Sequence, residues 1–220
     1  MISKLHYITQ QQPGFTHAMA AEAACRAGVD WLQLRVKGQP DAVWKDQALQ
    51  TKAICRHYGC TFILNDNAAL AAEVDADGVH LGQQDMPPVE ARALLGPNKI
   101  IGGTANTFAD IERLAAQGVD YIGLGPFRFT RTKQNLSPIL GLEGYTALLR
   151  QCREAGILIP IIAIGGIEVS DLPQLLSTGV HGVAVSSAIA QATDRSDAVA
   201  NFHHHISLNP APSYETTTNS

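Results

Sequence analysis

No apolar run in this chain approaches the roughly 20 residues that a membrane-spanning helix needs, and the N-terminus lacks the charged-then-apolar pattern of a secretory signal. Both absences point to a protein that stays in the cytoplasm. Cysteine is scarce. Cys25, Cys55, Cys60 and Cys152 form no C-x-x-C pair and no metal-ligand pairing with nearby histidines, so they read as reduced, mostly structural thiols. Positive charge is not in excess: 16 Lys and Arg stand against 20 Asp and Glu, for a net charge of −4 and a pI near 6.0. That balance gives no basic face for nucleic acid or an anionic membrane, and any phosphate binding must be local. Small-molecule phosphates are the expected ligands. No Cys-His or Ser-His nucleophile pairing is evident, and no linker or composition break divides the chain before its last dozen residues.

What the sequence does have is a 45% apolar content arranged as a repeated alternation. Short β-rich runs at 5–9, 31–36, 61–64, 78–81, 100–103, 121–124, 161–164 and 182–185 predict strands. Between them, 3.6-type periodicity or Ala/Leu/Glu-rich composition predicts helices over 16–27, 41–58, 68–74, 88–95, 107–117, 142–155, 171–177 and 188–202. Glycine follows the last periodic residue at Gly28, Gly118, Gly156 and Gly179, where a left-handed C′ residue would end each helix. Strand then helix, repeated, is the pattern of a parallel sheet. Eight units without a break fit an α/β fold of one closed (β/α)8 TIM barrel, residues 1–207, better than an open α/β sheet. Residues 208–220 are polar, Pro-bearing and non-periodic, and read as a disordered tail. His203 to His205 read as a solvated helix end.

In such a barrel the carboxyl ends of the strands converge on one face. In Gln33-Leu34-Arg35-Val36-Lys37, period-2 alternation sets Gln33, Arg35 and Lys37 on one side, and an amide with two cations there calls for an anion. The third strand ends in Asn65-Asp66-Asn67 and the fourth run leads to Asp85. Two carboxylates on adjacent strand ends suit a hard divalent ion, Mg2+, that also binds phosphate oxygens. Asp66 and Asp85 each also fit a helix start, Asp66 as an N-cap. His80, inside the run GVHL, reads as a packed or hydrogen-bonded core histidine rather than a general base. Thr104 places a hydroxyl after the fifth strand. After the sixth, GPFRFTRTK carries Thr130, Thr132 and Lys133, two hydroxyls and an ammonium suited to phosphate oxygens. The loop 125–140 is long for a barrel connection and reads as a lid. Gly165 and Gly166 after the seventh strand, with Ser186 and Ser187 after the eighth, match a backbone phosphate cradle.

Five ordered motifs, QLRVK, ND, DGVHLGQQD, GPFRFTRTK with a downstream LG, and AIGGI followed by GVAVSSAI, together resemble the thiamine phosphate synthase (thiamine-phosphate pyrophosphorylase) family over roughly residues 4–190. The resemblance implies a transferase of thiamine biosynthesis. Such an enzyme joins 4-amino-2-methyl-5-hydroxymethylpyrimidine diphosphate to hydroxyethylthiazole phosphate and releases pyrophosphate. By position it implies that Gln33, Arg35, Lys37, Asn65, Thr104 and Lys133 bind the pyrimidine diphosphate, with Arg35, Lys37, Thr104 and Lys133 catalytic. It implies Asp66 and Asp85 as Mg2+ ligands, and Thr130, Thr132, Gly166, Ser186 and Ser187 as holders of the thiazole phosphate. The sequence departs from the family at Thr104, commonly Ser; at Asn106, often His; and at Arg128-Phe129, usually Phe-Pro. A thiazole tautomerase-like isomerase and a non-catalytic thiamine-phosphate-binding protein are the alternatives. The first has no use for Arg35, Lys37, Asp66, Asp85 and Lys133, and turnover with both substrates separates the second.

Overall fold

Apolar runs of four to six residues form the eight strands: β1 (Leu5–Ile8), β2 (Trp31–Leu34), β3 (Thr61–Asn65), β4 (Gly78–Leu81), β5 (Ile100–Ala105), β6 (Tyr121–Leu124), β7 (Ile161–Ile164) and β8 (Gly182–Val185). Each pairs in parallel with the next, and β8 returns to β1 through Leu5↔Val183, His6↔Ala184 and Tyr7↔Val185, so the sheet closes into a barrel with no free edge. The computed structural model describes residues 2–12, 14–129 and 137–208. Around the barrel run α1 (His17–Arg26), α2 (Asp41–Tyr58), α3 (Ala68–Glu73), α4 (Pro88–Leu95), α5 (Phe108–Ala116), α6 (Gly141–Glu154), α7 (Leu172–Ser177), α8 (Ser187–Ala190) and α9 (Arg195–Leu208).

Side-chain alternation along the strands splits the core in two. Leu5, Leu32, Leu34, Leu64, Val79, Ile122 and Val183 face outward and pack against the helices. Ile8, Trp31, Ile63, Tyr121, Ile162 and Ala184 fill the barrel's interior. Gly102 makes room for that filling: a Cβ there would lie 2.2 Å from the Tyr121 ring. The anticipated helix stops hold, with Gly28, Gly118, Gly156 and Gly179 at φ of 103°, 70°, 67° and 101°.

One expected element is corrected. The helix anticipated over 188–202 is two helices, α8 and α9, broken at Gln191–Asp194. Asp194 starts the second one, its carboxylate accepting from the Asp197 N–H at 3.0 Å and its carbonyl from the Ala198 N–H at 3.1 Å. α9 then continues through Leu208, the first residue of the expected tail, and buries Val199, Phe202 and Ile206. Residues 209–220, the rest of that tail, lie outside the described residues.

Candidate active site

At the carboxyl ends of β2, β3 and β4 the chain opens into a cleft of about 380 Å³ lined by Lys37, Trp44, Asp66, Asp85 and Met86, among others. Asp66 reaches it because its backbone takes the left-handed region, φ 66°, immediately after β3, a conformation that Asp tolerates better than most residues. Its N–H is held by the His80 carbonyl at 2.7 Å. The capping role goes to Asn67, whose side chain accepts from the Leu70 N–H at 2.9 Å, so Asp66 is left for the cleft. There its carboxylate pairs with the Lys37 ammonium. Asp85 is likewise no cap, for Pro87 precedes α4. Its carboxylate accepts from the Gly82 N–H at 2.6 Å and folds the β4 loop back toward Asp66. Burial raises the Asp85 pKa, the Gly82 N–H opposes this, the Asp66 charge raises it further and Lys37 opposes again. Two carboxylates from adjacent strand ends therefore share one cleft with the Lys37 ammonium beside them.

Beneath the cleft, polar residues inside the barrel form a relay that the sequence only hinted at. Gln33 and His80 point inward and are buried. Gln33 bonds the Tyr121 phenol, whose pKa burial drives well above the usual value and Gln33 holds down in part. The phenol lies 3.0 Å from His80 Nδ1, and His80 Nε2 lies 3.0 Å from the Thr104 hydroxyl. Gln33, Tyr121, His80 and Thr104 are linked by successive hydrogen bonds that end on the Thr104 hydroxyl. His80 is thus the hydrogen-bonded core histidine expected of it. Below it His6 stacks on Trp31, centroids 3.7 Å apart, and burial with the nearby His80 lowers the His6 pKa.

Arg35 is supported from β1. Thr9 Oγ1 accepts from the Arg35 N–H at 3.2 Å and is hydrogen-bonded to His17 Nδ1 at 2.7 Å. Burial and then the Arg35 charge lower the His17 pKa to about 4. Burial lowers the Arg35 pKa too, and the Asp66 charge offsets it. Asn65 is buried at the end of β3. Thr9, His17 and Tyr121 escaped the sequence reading because each looks like an ordinary strand or helix-start residue until the barrel closes.

Across the mouth, β7 ends in Gly165 and Gly166 at φ of 104° and 67°. A Cβ on Gly165 would lie 2.7 Å from Pro126, and one on Gly166 would lie 2.5 Å from Arg128. These glycines thus make room for this chain's own loop stem as well as for any ligand. The stem is pinned there: Arg128 donates to the Gly166 carbonyl at 3.0 Å and to Asp171 at 2.6 Å. Asn106 anchors both sides of the loop, its amide donating to the Gly125 and Pro138 carbonyls at 2.9 Å each. Beside the turn, Ser186 Oγ is shielded and has no hydrogen-bond partner among the described residues, while Ser187 is exposed at the start of α8. Thr130, Thr132 and Lys133, and with them the middle of the expected lid, lie outside the described residues.

A family profile described as Thiamine monophosphate synthase matches residues 5–189. A thiamine-phosphate synthase of Bacteroides fragilis is 50% identical over 190 residues, covering 86% of this chain and 93% of the relative. One of Flavobacterium johnsoniae is 44% identical over 209 residues, covering 95% and 99%. The solved thiamine phosphate pyrophosphorylase of Pyrococcus furiosus superposes with a TM-score of 0.80 at 30% identity, covering 93% of this chain and 96% of that one.

Proposed function

Because the chain belongs to the thiamine monophosphate synthase family and is a transferase of that activity, we propose how its own residues divide the reaction between a hydroxymethylpyrimidine diphosphate and a thiazole phosphate. The observation that carries the assignment is the cleft in which Lys37 pairs with Asp66 opposite a half-buried Asp85. Carboxylate oxygens on two strand ends fit Mg2+, which when bound would neutralise pyrophosphate oxygens and is commonly completed by water and phosphate. Asp66 and Asp85 would hold it.

Lys37, Arg35 and Lys133 stabilise charge on the departing pyrophosphate. Gln33, Asn65 and the Thr104 hydroxyl, oriented through His80, position the pyrimidine. As the C–O bond to pyrophosphate breaks, the electron pair leaves with pyrophosphate and the electron-rich aminopyrimidine bears the positive charge. The thiazole ring nitrogen then supplies the pair for the new C–N bond. Thr130, Thr132, Gly166, Ser186 and Ser187 hold the thiazole phosphate, and the orphaned Ser186 oxygen supports that placement. No protein nucleophile takes part. The work of the chain is to neutralise the leaving group and align two rings.

We place the protein in the cytoplasm, acting on small-molecule substrates, on the ground of its four unpaired cysteines. A barrel domain that ends with α9 at Leu208, followed by residues 209–220 as a tail, belongs to the same reading. The test is turnover of both substrates, with product thiamine phosphate and released pyrophosphate measured across a Mg2+ titration. Equimolar, Mg2+-dependent formation of both is expected. Ligand binding without turnover would overturn the assignment in favour of a sensor.

A further inference from the structure

Three of the four cysteines meet although the sequence keeps them apart. Cys25 lies in the last turn of α1, Cys55 in the last turn of α2, and Cys60 immediately precedes β3. Their Sγ atoms all lie within 4.8 Å of one another. The chain reverses at Gly59, φ 69°, and the Cys60 N–H donates to the Cys55 carbonyl at 2.8 Å, which turns two thiols toward one another and toward α1. All three residues are buried, with relative exposures of 5%, 1% and 5%. Helix ends and a strand start put this triad at the amino ends of the strands, away from the mouth where the reaction is placed. No step of the reaction uses it.

We propose that Cys25, Cys55 and Cys60 form a binding site for one soft divalent metal ion of the zinc class, held by three thiolates. Zinc–sulfur bonds of about 2.3 Å set a tetrahedral sulfur–sulfur edge of about 3.8 Å, so the triad needs to contract by no more than about 1 Å. χ1 adjustments of three short side chains suffice for that. On binding, three S–H bonds break, their protons go to solvent, and three Zn–S bonds form, leaving a complex of charge −1. A monovalent ion would leave −2 in the same apolar wall, at greater desolvation cost. Among the described residues no His, Asp or Glu joins the cluster, so a water or other small ligand takes the fourth position. Buried cysteine also packs as a small hydrophobe. What sets this cluster apart is convergence, since three separate elements each present sulfur to one point while Cys152 on α6 stands alone.

The test uses the reduced full-length protein stripped of metal, with Zn2+ delivered against a chromogenic chelator. One zinc per chain is expected, together with a zinc-dependent slowing of three of the four buried thiols toward a thiol reagent, a readout that needs no variant. Cadmium should give a thiolate charge-transfer band whose intensity counts three sulfurs. Cys25→Ser and Cys60→Ser should each weaken zinc binding by more than about 100-fold, beyond the range for losing an outer-shell partner because a direct thiolate ligand is lost, whereas Cys152→Ser should match the parent. Turnover under saturating Mg2+ should not change on zinc loading. Zinc binding below half an equivalent, thiol reactivities that zinc leaves unchanged or slows equally at all four cysteines, or a disulfide within the triad under mild oxidation with no zinc uptake by the reduced form would each overturn the proposal.

Discussion

Asp85 illustrates how one side chain's environment sets both chemistry and stability. Its raised pKa means that the folded protein binds a proton there more readily than the unfolded chain does. Stability from this group is therefore lost, not gained, as pH rises through the carboxylate range. Asp85→Asn removes that cost and keeps an oxygen for the Gly82 N–H. The variant should melt at or above the parent temperature while requiring far more Mg2+ for turnover, and a lower melting temperature with normal Mg2+ dependence would contradict the metal role. Asp66→Asn should raise the Mg2+ requirement likewise. If Asp85 is a Mg2+ ligand, the Mg2+ concentration needed for half-maximal turnover should rise as pH falls through the carboxylate range, because the metal-free Asp85 carboxyl holds its proton above the ordinary aspartate range and that proton competes with the metal. Lys133→Ala should slow turnover by on the order of 10²-fold, about 3 kcal/mol, the scale for one donor to developing negative charge, with Arg131→Ala costing much less. At this scale the sequence was informative where chemistry is local. QLRVK and ND name Lys37 and Asp66 without any fold. It was silent where partners are remote: His80, Thr104 and Tyr121 become one relay, and Cys25, Cys55 and Cys60 one cluster, only when strands and helices far apart in the chain are brought together.

Among the elements, β4, β6, β7 and β8 begin and end where their apolar runs do, since turn residues bound them on both sides. The break between α8 and α9 was not legible, because the polar run Thr193-Asp194-Arg195-Ser196-Asp197 contains no Gly or Pro to stop a helix and the new start depends on a single Asp cap. Asp194→Ala should cost about 1 kcal/mol. In a chain of this size that lowers the melting temperature by about 2–4 °C, measurable by calorimetry, with turnover unchanged. The stem of the loop after β6 is a firmer device. Arg128 ties it to the Gly166 carbonyl and to Asp171, and Phe127 N–H donates to the Ile164 carbonyl at 2.8 Å. Arg128→Ala should raise KM for the thiazole phosphate more than it lowers kcat, because the side chain shapes the β7 turn and lies outside the leaving-group cluster. An unchanged KM would show that the turn keeps its shape without it.

For the molecule as a whole, closure of the barrel decides which ends matter. α9 packs on α1, α7 and α8 and seats a fully buried Phe202. Removing residues 209–220 should change neither melting temperature nor turnover, since a polar segment adds little apolar burial. Phe202→Ala should destabilise by about 3–5 kcal/mol, the range for truncating a buried aromatic, and denaturant unfolding distinguishes the two changes directly. The closed barrel also separates the protein's two tryptophans. Trp31 lies in the sealed interior against His6, while Trp44 lines the cleft beside Lys37 and Asp66. Their fluorescence is correspondingly divided. The interior indole, stacked on an imidazole and shut away from solvent, should supply a constant background, and the cleft indole should change its emission when an anion or a metal is added. The chain carries its own optical reporter of site occupancy, and Trp44→Phe should silence it while leaving the background in place.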